Sequence, residues 1–177
     1  MPINSRWKVD IPNVSLTDYL FTSPTHPLPD KPVFYSAAQP DHCLTFKSYR
    51  LWCQRFAAGL RKAGLQTGDR VLLFSGNTLF FPVVIHGAMM AGGVFTGANP
   101  TYVARELAYQ LKDSEAKFLI VAEESIEVAL EAAKSISFPT SHVFTFDDGS
   151  KTFQGTGKSI GEVRHWSTLL EPPDVGE

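Results

Sequence analysis

Cysteine is scarce in this chain, and the two cysteines present, Cys43 and Cys53, do not form a disulfide framework. Cys53 lies in the middle of a predicted helix and Cys43 lies just before it, so a bridge between them would distort both segments. The first residues, Met1–Trp7, contain no apolar run of the kind that a secretory signal requires. The sequence therefore predicts free thiols and an intracellular, reducing location.

Clusters of basic residues are also missing. The 16 Lys and Arg residues are balanced by 18 Asp and Glu residues, and none of the basic residues gather into a stripe or run. Nucleic-acid binding depends on such clusters because they neutralise phosphates. The composition, with 44% hydrophobic residues in 177 positions, is that of a globular domain without a nucleic-acid partner.

No Asp, Glu, Lys or Arg occurs between Arg70 and Arg105. A membrane span needs about 20 consecutive apolar residues. The best window, Leu79–Ala98, is interrupted by Pro82, His86 and four glycines. Buried parallel strands and a central helix also read as continuous apolar runs. The sequence therefore favours a buried strand, helix and strand over a membrane span.

The chain alternates between segments with strand and helix patterns. Residues 1–30 are predicted to be an irregular lead-in with a short helix near Leu16–Phe21, and residues 31–177 a single α/β domain. Strands are predicted at Val33–Ser36, Val71–Phe74, Val94–Gly97, Phe118–Val121 and His142–Phe146, and helices after Thr45, at Leu79–Met90, Val103–Lys112 and Glu123–Lys134, and near Trp166. Strands joined by helices form right-handed crossovers, so we expect a doubly wound, mainly parallel sheet flanked by helices.

The helix after Thr45 has the clearest pattern. Thr45 is a predicted N-cap, and Gly64 ends the helix in a left-handed conformation. The predicted inward face consists of Tyr49, Trp52, Cys53, Phe56, Ala57 and Leu60. In the two later amphipathic helices, the predicted inward residues are Val103, Leu107 and Leu111, followed by Ile126, Ala129, Leu130 and Ala133. The polar segment Asp147–Gly161 is expected to be an exposed loop.

The run Gly155–Ser159 matches the tail of a phosphate-binding loop, Gly-x-Gly-Lys-Ser. That loop needs a first glycine at position 152, where its backbone N–H groups begin to enclose the phosphates, and the chain has Thr152 there. No long helix is predicted after Ser159 to direct its N-terminus at a phosphate. A solvated connection is the favoured interpretation.

The remaining polar residues show no pattern typical of an active site. The histidines, which are His26, His42, His86, His142 and His165, have no second ligand at metal spacing. His86 is predicted to be a buried histidine with a satisfied hydrogen bond. Asp147-Asp148-Gly149 is typical of a turn. We therefore predict no catalytic, cofactor-binding or metal-binding residue in this chain.

Three segments resemble adenylate-forming enzymes, the AMP-dependent synthetase/ligase superfamily. Leu44–Tyr49 is similar to the start of their first long helix, and Gly64–Val71 is similar to the turn before their first core strand. The segment from Gly87 to Ser114, which includes Asn99-Pro100-Thr101-Tyr102, follows the family pattern in order. The resemblance covers roughly residues 30–170 and is nearest to the branch of 4-coumarate–CoA ligases, fatty-acyl-CoA synthetases and luciferases.

This resemblance implies a function for a longer protein. Family members use ATP, Mg²⁺ and CoA to adenylate a carboxylic acid and then transfer the acyl group to CoA. Their phosphate loop and catalytic motifs have no counterpart in these residues, so the resemblance implies an N-terminal scaffold part that ends before the phosphate loop and is inactive alone. The resemblance does not decide whether the longer protein is cytoplasmic or peroxisomal, and it does not identify the acid substrate.

Two alternatives remain beside this interpretation. The chain could be a binding or regulatory module that pairs with a full-length ligase. Its exposed apolar surface could be covered by a second copy of the chain in a homo-oligomer or by a missing catalytic lobe. A small flavodoxin-like nucleotide binder is disfavoured, because no phosphate-binding loop follows any predicted strand.

Overall fold

The computed structural model describes residues 5–22, 27–147, 149–155 and 157–172. Its helices are α1 (Leu16–Phe21), α2 (Phe46–Lys62), α3 (Phe81–Met90), α4 (Ala104–Asp113), α5 (Ile126–Ser135) and α6 (Ser150–Gln154). Its strands are β1 (Pro32–Tyr35), β2 (Cys43–Thr45), β3 (Arg70–Phe74), β4 (Val94–Ala98), β5 (Ala116–Ala122), β6 (Val143–Phe146) and β7 (Arg164–His165). Short 3₁₀ turns lie at Glu123–Ser125, Thr140–His142 and Trp166–Leu169.

Five strands form one parallel sheet in the order β4-β3-β5-β6-β7. This arrangement confirms the predicted doubly wound α/β fold. The strands β1 and β2 form a separate antiparallel pair. The sequence pattern predicts β1 but not β2, because Cys43–Thr45 is too short to show a period.

Helices cover both faces of the sheet. On one face, α2, α3 and the turn at Trp166–Leu169 pack on alternate strand residues, among them Val71, Ile120 and Phe144. On the other face, α4 and α5 pack on the intervening residues, such as Leu72 and Leu119. The charge-free segment forms the end of β3, α3 and β4, and α3 is only 10 residues long. Among the described residues, no helix is long and apolar enough to cross a membrane.

The start of α2 forms a capping box. The Ser48 N–H donates to Thr45 Oγ1 (3.1 Å), and the Thr45 N–H donates to Ser48 Oγ (2.9 Å). The predicted inward face is buried, except that Trp52 is only half-buried. Gly64, with φ +98°, follows the helix in the predicted left-handed conformation.

We expect Thr45→Ala to lower the free energy of unfolding by about 1 kcal/mol, because it removes the acceptor for one N–H of the first turn. Urea denaturation monitored by circular dichroism measures the change. Lys47→Ala is the matched control, since Lys47 is exposed in the same turn and its replacement should stay within about 0.5 kcal/mol. Equal midpoints for the two variants would contradict the role of the cap.

Two predictions about local structure were wrong. The segment after Asp147 is not an exposed loop, because it includes α6 and buries Asp147 and Thr152. Val103 is 57% exposed, because it precedes α4 in an extended conformation and does not share the helix's inward face. The predicted inward residues of α5 do face the core, with Leu130 half-buried against it and the further residue Ala132 buried beside Ala129 and Ala133.

Candidate functional site at the carboxyl edge of the sheet

The sheet changes winding direction between β3 and β5. The chain leaves β3 into α3 on one face, whereas it leaves the neighbouring β5 into α5 on the other face. Ligands of open α/β sheets bind outside the carboxyl ends of the strands at such a point. The topology therefore identifies this edge, where the connections after β3, β5 and β6 meet, as the candidate site.

Contacts between the three connections hold this edge together. The Lys151 ammonium of α6 forms an ion pair with the Glu123 carboxylate, which follows β5. Gly149, with φ +104°, lies against Phe80 in the connection after β3, and a Cβ at this glycine would lie 2.9 Å from Phe80 Cδ2. Both the backbone conformation and the close approach require glycine at position 149.

Asp147, at the end of β6, is the centre of a buried hydrogen-bond network. Its Oδ2 accepts from the N–H groups of Gly149 (3.2 Å), Lys151 (2.8 Å) and Thr152 (3.1 Å). Its Oδ1 accepts from Thr152 Oγ1 (2.7 Å) and from Trp166 Nε1 (3.3 Å). The carboxylate therefore supplies acceptors for the N-terminus of α6 and also links α6 to Trp166.

The network keeps Asp147 ionised. Burial by itself raises the pKa of the carboxyl group, but contacts from His165 and Thr152 outweigh it, and the net effect lowers the pKa below its ordinary value. Asp147 and His165 are both almost fully buried. The stabilised charge is consistent with a carboxylate that accepts several hydrogen bonds inside the protein.

His165 lies between Asp147 and Ser167. Its Nδ1 is 2.8 Å from Ser167 Oγ and accepts from the Ser167 N–H at 3.3 Å, which assigns the ring proton to Nε2. Nε2 then faces Asp147 Oδ1 at the longer distance of 3.4 Å. A Cβ at Gly157 would lie 2.1 Å from His165 Nδ1, so the backbone of residue 157 packs directly on the ring.

These groups have structural roles. Both oxygens of Asp147 are engaged by protein donors, and the His165 ring caps the turn at Trp166–Leu169. In the described part of the chain, no three His, Cys, Asp or Glu side chains are grouped so that they could hold a metal ion. The edge therefore has the location of a binding site, while its polar residues stabilise the fold.

The glycine-rich run has a different structure from a phosphate-binding loop. Gly155 ends α6 in a left-handed conformation, and Thr156 lies outside the described residues. The chain then forms a tight turn between Ile160 and Val163, followed by β7. A phosphate-binding loop would be followed by a helix, and this segment is followed by a strand.

His86 has the hydrogen bond that was predicted for it. Its Nδ1 lies 2.5 Å from the Tyr49 hydroxyl and 3.1 Å from the Pro82 carbonyl oxygen, and the ring is half-buried. Burial raises the pKa of Tyr49, and nearby Cys53 raises it further. Burial also raises the pKa of the Cys53 thiol. Neither group provides an activated nucleophile.

Of the other histidines, His26 lies outside the described residues, and His142 Nδ1 lies 3.0 Å from the Lys117 carbonyl oxygen.

The network around Asp147 was not predicted from the sequence. One available signal was the order of Asp147, Gly149 and Thr152. An acidic residue a few positions before the start of a helix can accept hydrogen bonds from the N–H groups of its first turn. Nothing in the sequence connects these residues to His165 and Trp166, because parallel pairing of β6 and β7 brings them together.

Comparison with known proteins agrees with the fold. The model of the family described as AMP-binding enzyme matches residues 23–174. This chain belongs to that family. The acyl-CoA ligase azaF of Aspergillus niger is 31% identical over 164 residues, which cover 92% of this chain and 30% of the ligase. The 4-coumarate–CoA ligase 3 of Arabidopsis thaliana is 32% identical over 133 residues, which cover 75% of this chain and 23% of the ligase.

Solved structures show the same fold. The anthranilate CoA ligase AuaEII, in complex with anthranoyl-AMP, superposes with a TM-score of 0.73 at 18% identity, covering 89% of this chain and 28% of that ligase. A benzoate CoA ligase from Burkholderia xenovorans LB400 gives a TM-score of 0.69 at 21% identity, covering 90% of this chain and 29% of that ligase. The chain thus spans about 30% of the length of the Aspergillus ligase that it matches.

Proposed function

We propose that this chain is the N-terminal scaffold part of an ATP-dependent acid–CoA ligase, with residues 31–177 forming one α/β unit. In this role it supplies the parallel sheet and its two helical layers, and the residues that bind ATP lie in other parts of the enzyme. The observation that carries the proposal is the family match over residues 23–174, combined with a carboxyl edge whose buried carboxylate is fully engaged by protein donors.

The complete enzyme would catalyse two successive reactions. The carboxylate of an aromatic or fatty acid attacks the α-phosphate of ATP, which releases pyrophosphate and leaves an acyl-adenylate. The sulfur of CoA then attacks the acyl carbonyl carbon, and AMP leaves. ATP, Mg²⁺, CoA and the acid are thus partners of the complete enzyme, located in the cytoplasm or in peroxisomes.

The isolated chain is expected to release no pyrophosphate from ATP·Mg²⁺ in the presence of a panel of aromatic and fatty acids. Calorimetric titration with ATP·Mg²⁺, and separately with CoA, should give no saturable heat. The reason is that the described residues offer no phosphate-binding loop followed by a helix. Turnover or saturable ATP binding by this chain would contradict the assignment as a scaffold.

A chimera tests the scaffold role directly. The matching 164 residues of the Aspergillus acyl-CoA ligase, which are 31% identical to this chain, would be replaced by this chain. We expect the chimera to retain acyl-CoA formation, whereas the ligase without the segment should have none. A folded chimera that binds ATP but forms no acyl-adenylate would show that this chain is not a functional equivalent of the segment.

One observation favours the alternative, a module that pairs with a full-length ligase. Six large apolar residues before β1 are exposed, and they are Trp7, Val9, Ile11, Val14, Leu16 and Tyr19. Exposed apolar surface of this kind is typical of an interface. Binding of this chain to the intact Aspergillus ligase, weakened by Trp7→Ser with Ile11→Ser, would support the module. If light scattering shows no binding of this chain to the intact ligase, the result would contradict the module and favour the scaffold role.

A further inference from the structure

The outward side of α3 carries no charged residue. Pro82, Ile85 and Met89 follow one another at three- and four-residue steps, so they share one side of the helix. Met89 is 37% exposed, and Pro82 and Ile85 are half-buried. Phe95 of the adjacent strand β4 is half-buried as well, and its ring packs on Phe81 with 6.1 Å between the ring centroids. Pro82, Ile85, Met89 and Phe95 are together called the α3 face below.

The helices on the other side of the sheet have charged outward sides. Their exposed residues include Arg105, Glu106, Lys112, Asp113, Glu127 and Glu131. Tyr109 is 70% exposed on α4, but it lies among these charges, and single exposed apolar residues are normal on a protein surface. A surface helix has such a polar side, whereas a helix that is apolar all round belongs to the interior of a larger protein. The pattern of α3 is therefore that of a helix covered on both sides.

Both ends of the described chain lie on the same side of the sheet as the α3 face. The ring of Phe21 in α1 lies 6.0 Å from the ring of His86 in α3. At the other end, the Glu171 N–H donates to the Arg55 carbonyl oxygen of α2 (3.2 Å), and Lys62 Nζ lies 2.9 Å from Glu171 Oε1. In a longer protein, a segment that follows residue 172 therefore starts beside α2, next to α3.

The comparison with the Aspergillus ligase shows how much further chain is available. The matching residues are 30% of that ligase, so the larger part of such an enzyme lies outside the match. Interfaces that are apolar and free of charge are typical of permanent contacts, whereas partners that separate expose more polar surfaces. A part of the same polypeptide is permanently attached, and it meets this requirement better than a separate molecule does.

We propose that the α3 face packs permanently against the remaining part of the acid–CoA ligase, on an apolar and uncharged surface of that part. The inference rests on the proposed function and adds to it which side of the sheet the rest of the enzyme covers. The layer formed by α4 and α5 then stays in contact with water.

Oxidative footprinting tests the burial of the α3 face. Hydroxyl radicals oxidise exposed methionine and tyrosine side chains, and mass spectrometry of peptides locates the oxidised residues. In the isolated chain, Met89 and Tyr109 should both react, because they are 37% and 70% exposed. In the chimera of this chain with the Aspergillus ligase, oxidation of Met89 should be slower by about tenfold or more, since the core of an interface excludes water. Tyr109 should react equally in both proteins.

Matched substitutions provide a second measurement. Met89→Lys would bury an unpaired ammonium group in the chimera and should lower its acyl-CoA formation by about tenfold or more. Tyr109→Lys makes the same change on the layer in contact with water and should leave acyl-CoA formation within about twofold. In the isolated chain, both substitutions should change the melting temperature by at most about 2 °C, because both positions are exposed there.

Three results would overturn the proposal. Met89 could be equally reactive in the chimera and in the isolated chain, or the two substitutions could lower acyl-CoA formation equally, and either result would show that the α3 face is not the interface. Protection of Met89 that grows with the concentration of the isolated chain would assign the face to a second copy. An active chimera with a reactive Met89 would contradict this inference alone, whereas a chimera that forms no acyl-CoA would contradict the proposed function and this inference with it.

Discussion

Asp147→Ala is expected to lower the free energy of unfolding by about 3–5 kcal/mol. The substitution leaves several donors without an acceptor, among them the N–H groups at the start of α6 and the hydroxyl of Thr152. Trp166 Nε1 loses one of its two acceptors and keeps Thr152 Oγ1 at 3.0 Å. Because these groups are buried, water does not replace the lost carboxylate, and the cost exceeds that of an ordinary surface hydrogen bond.

Urea denaturation followed by tryptophan fluorescence measures this loss, since Trp166 belongs to the network and reports on it. Asp41→Ala is the matched control, because Asp41 is exposed and its replacement should change the unfolding free energy by at most about 0.5 kcal/mol. A loss below about 1 kcal/mol for Asp147→Ala would show that the network contributes little to the fold.

The same residue determines part of the acid sensitivity. The pKa of Asp147 in the folded protein is below its value in the unfolded chain, so the stabilisation is complete above about pH 4 and is lost as pH falls towards the folded pKa. Asp147→Asn removes this titration. We expect the variant to be less stable at pH 7 and to lose less stability between pH 5 and pH 3 than the original chain. If the unfolding free energies of Asp147→Asn and of the original chain fell equally between pH 5 and pH 3, Asp147 would not contribute to the acid sensitivity.

Gly59→Ala is expected to destabilise the fold by about 2–4 kcal/mol. In a helix interior, replacing glycine by alanine normally stabilises by about 1 kcal/mol. Here the added Cβ would lie 1.8 Å from the Leu169 carbonyl oxygen, which is backbone and has no side-chain rotation to relieve the clash. The segment that follows Trp166 is also anchored to α2, since Arg55 Nε donates to the Glu171 carbonyl oxygen at 2.6 Å.

Ala58→Gly, at the neighbouring position in α2, is the matched control for Gly59→Ala. It should cost only about 1 kcal/mol, the propensity difference between the two residues. Thermal unfolding measures both variants. If Gly59→Ala raises the melting temperature, as it would in an isolated helix, then the contact between α2 and Leu169 does not limit the stability of the fold.

The sequence predicted the elements that have a long hydrophobic period. The α2 helix, the order of strands and helices and the parallel sheet follow from apolar residues at three- to four-residue spacing or in short buried runs. The strand β2 and the helix α6 were not predicted, because they contain 3 and 5 residues and are too short to show a period.

The candidate site was less predictable than the fold. The sequence indicated correctly that the glycine-rich run at 155–159 is not followed directly by a helix. It did not indicate that Asp147 is 7% exposed, because burial of a carboxylate depends on donors supplied by distant parts of the chain. Trp166, the most distant of those donors, is 19 residues away along the sequence.

By itself, the sequence determined the fold class, the family and the absence of a disulfide between Cys43 and Cys53, because each of these depends on composition, period or motif order. Only the tertiary structure decided the role of Asp147 and the closeness of Gly59 to Leu169. Those features depend on which surfaces meet. Contacts between segments far apart in the chain leave no local pattern in either segment.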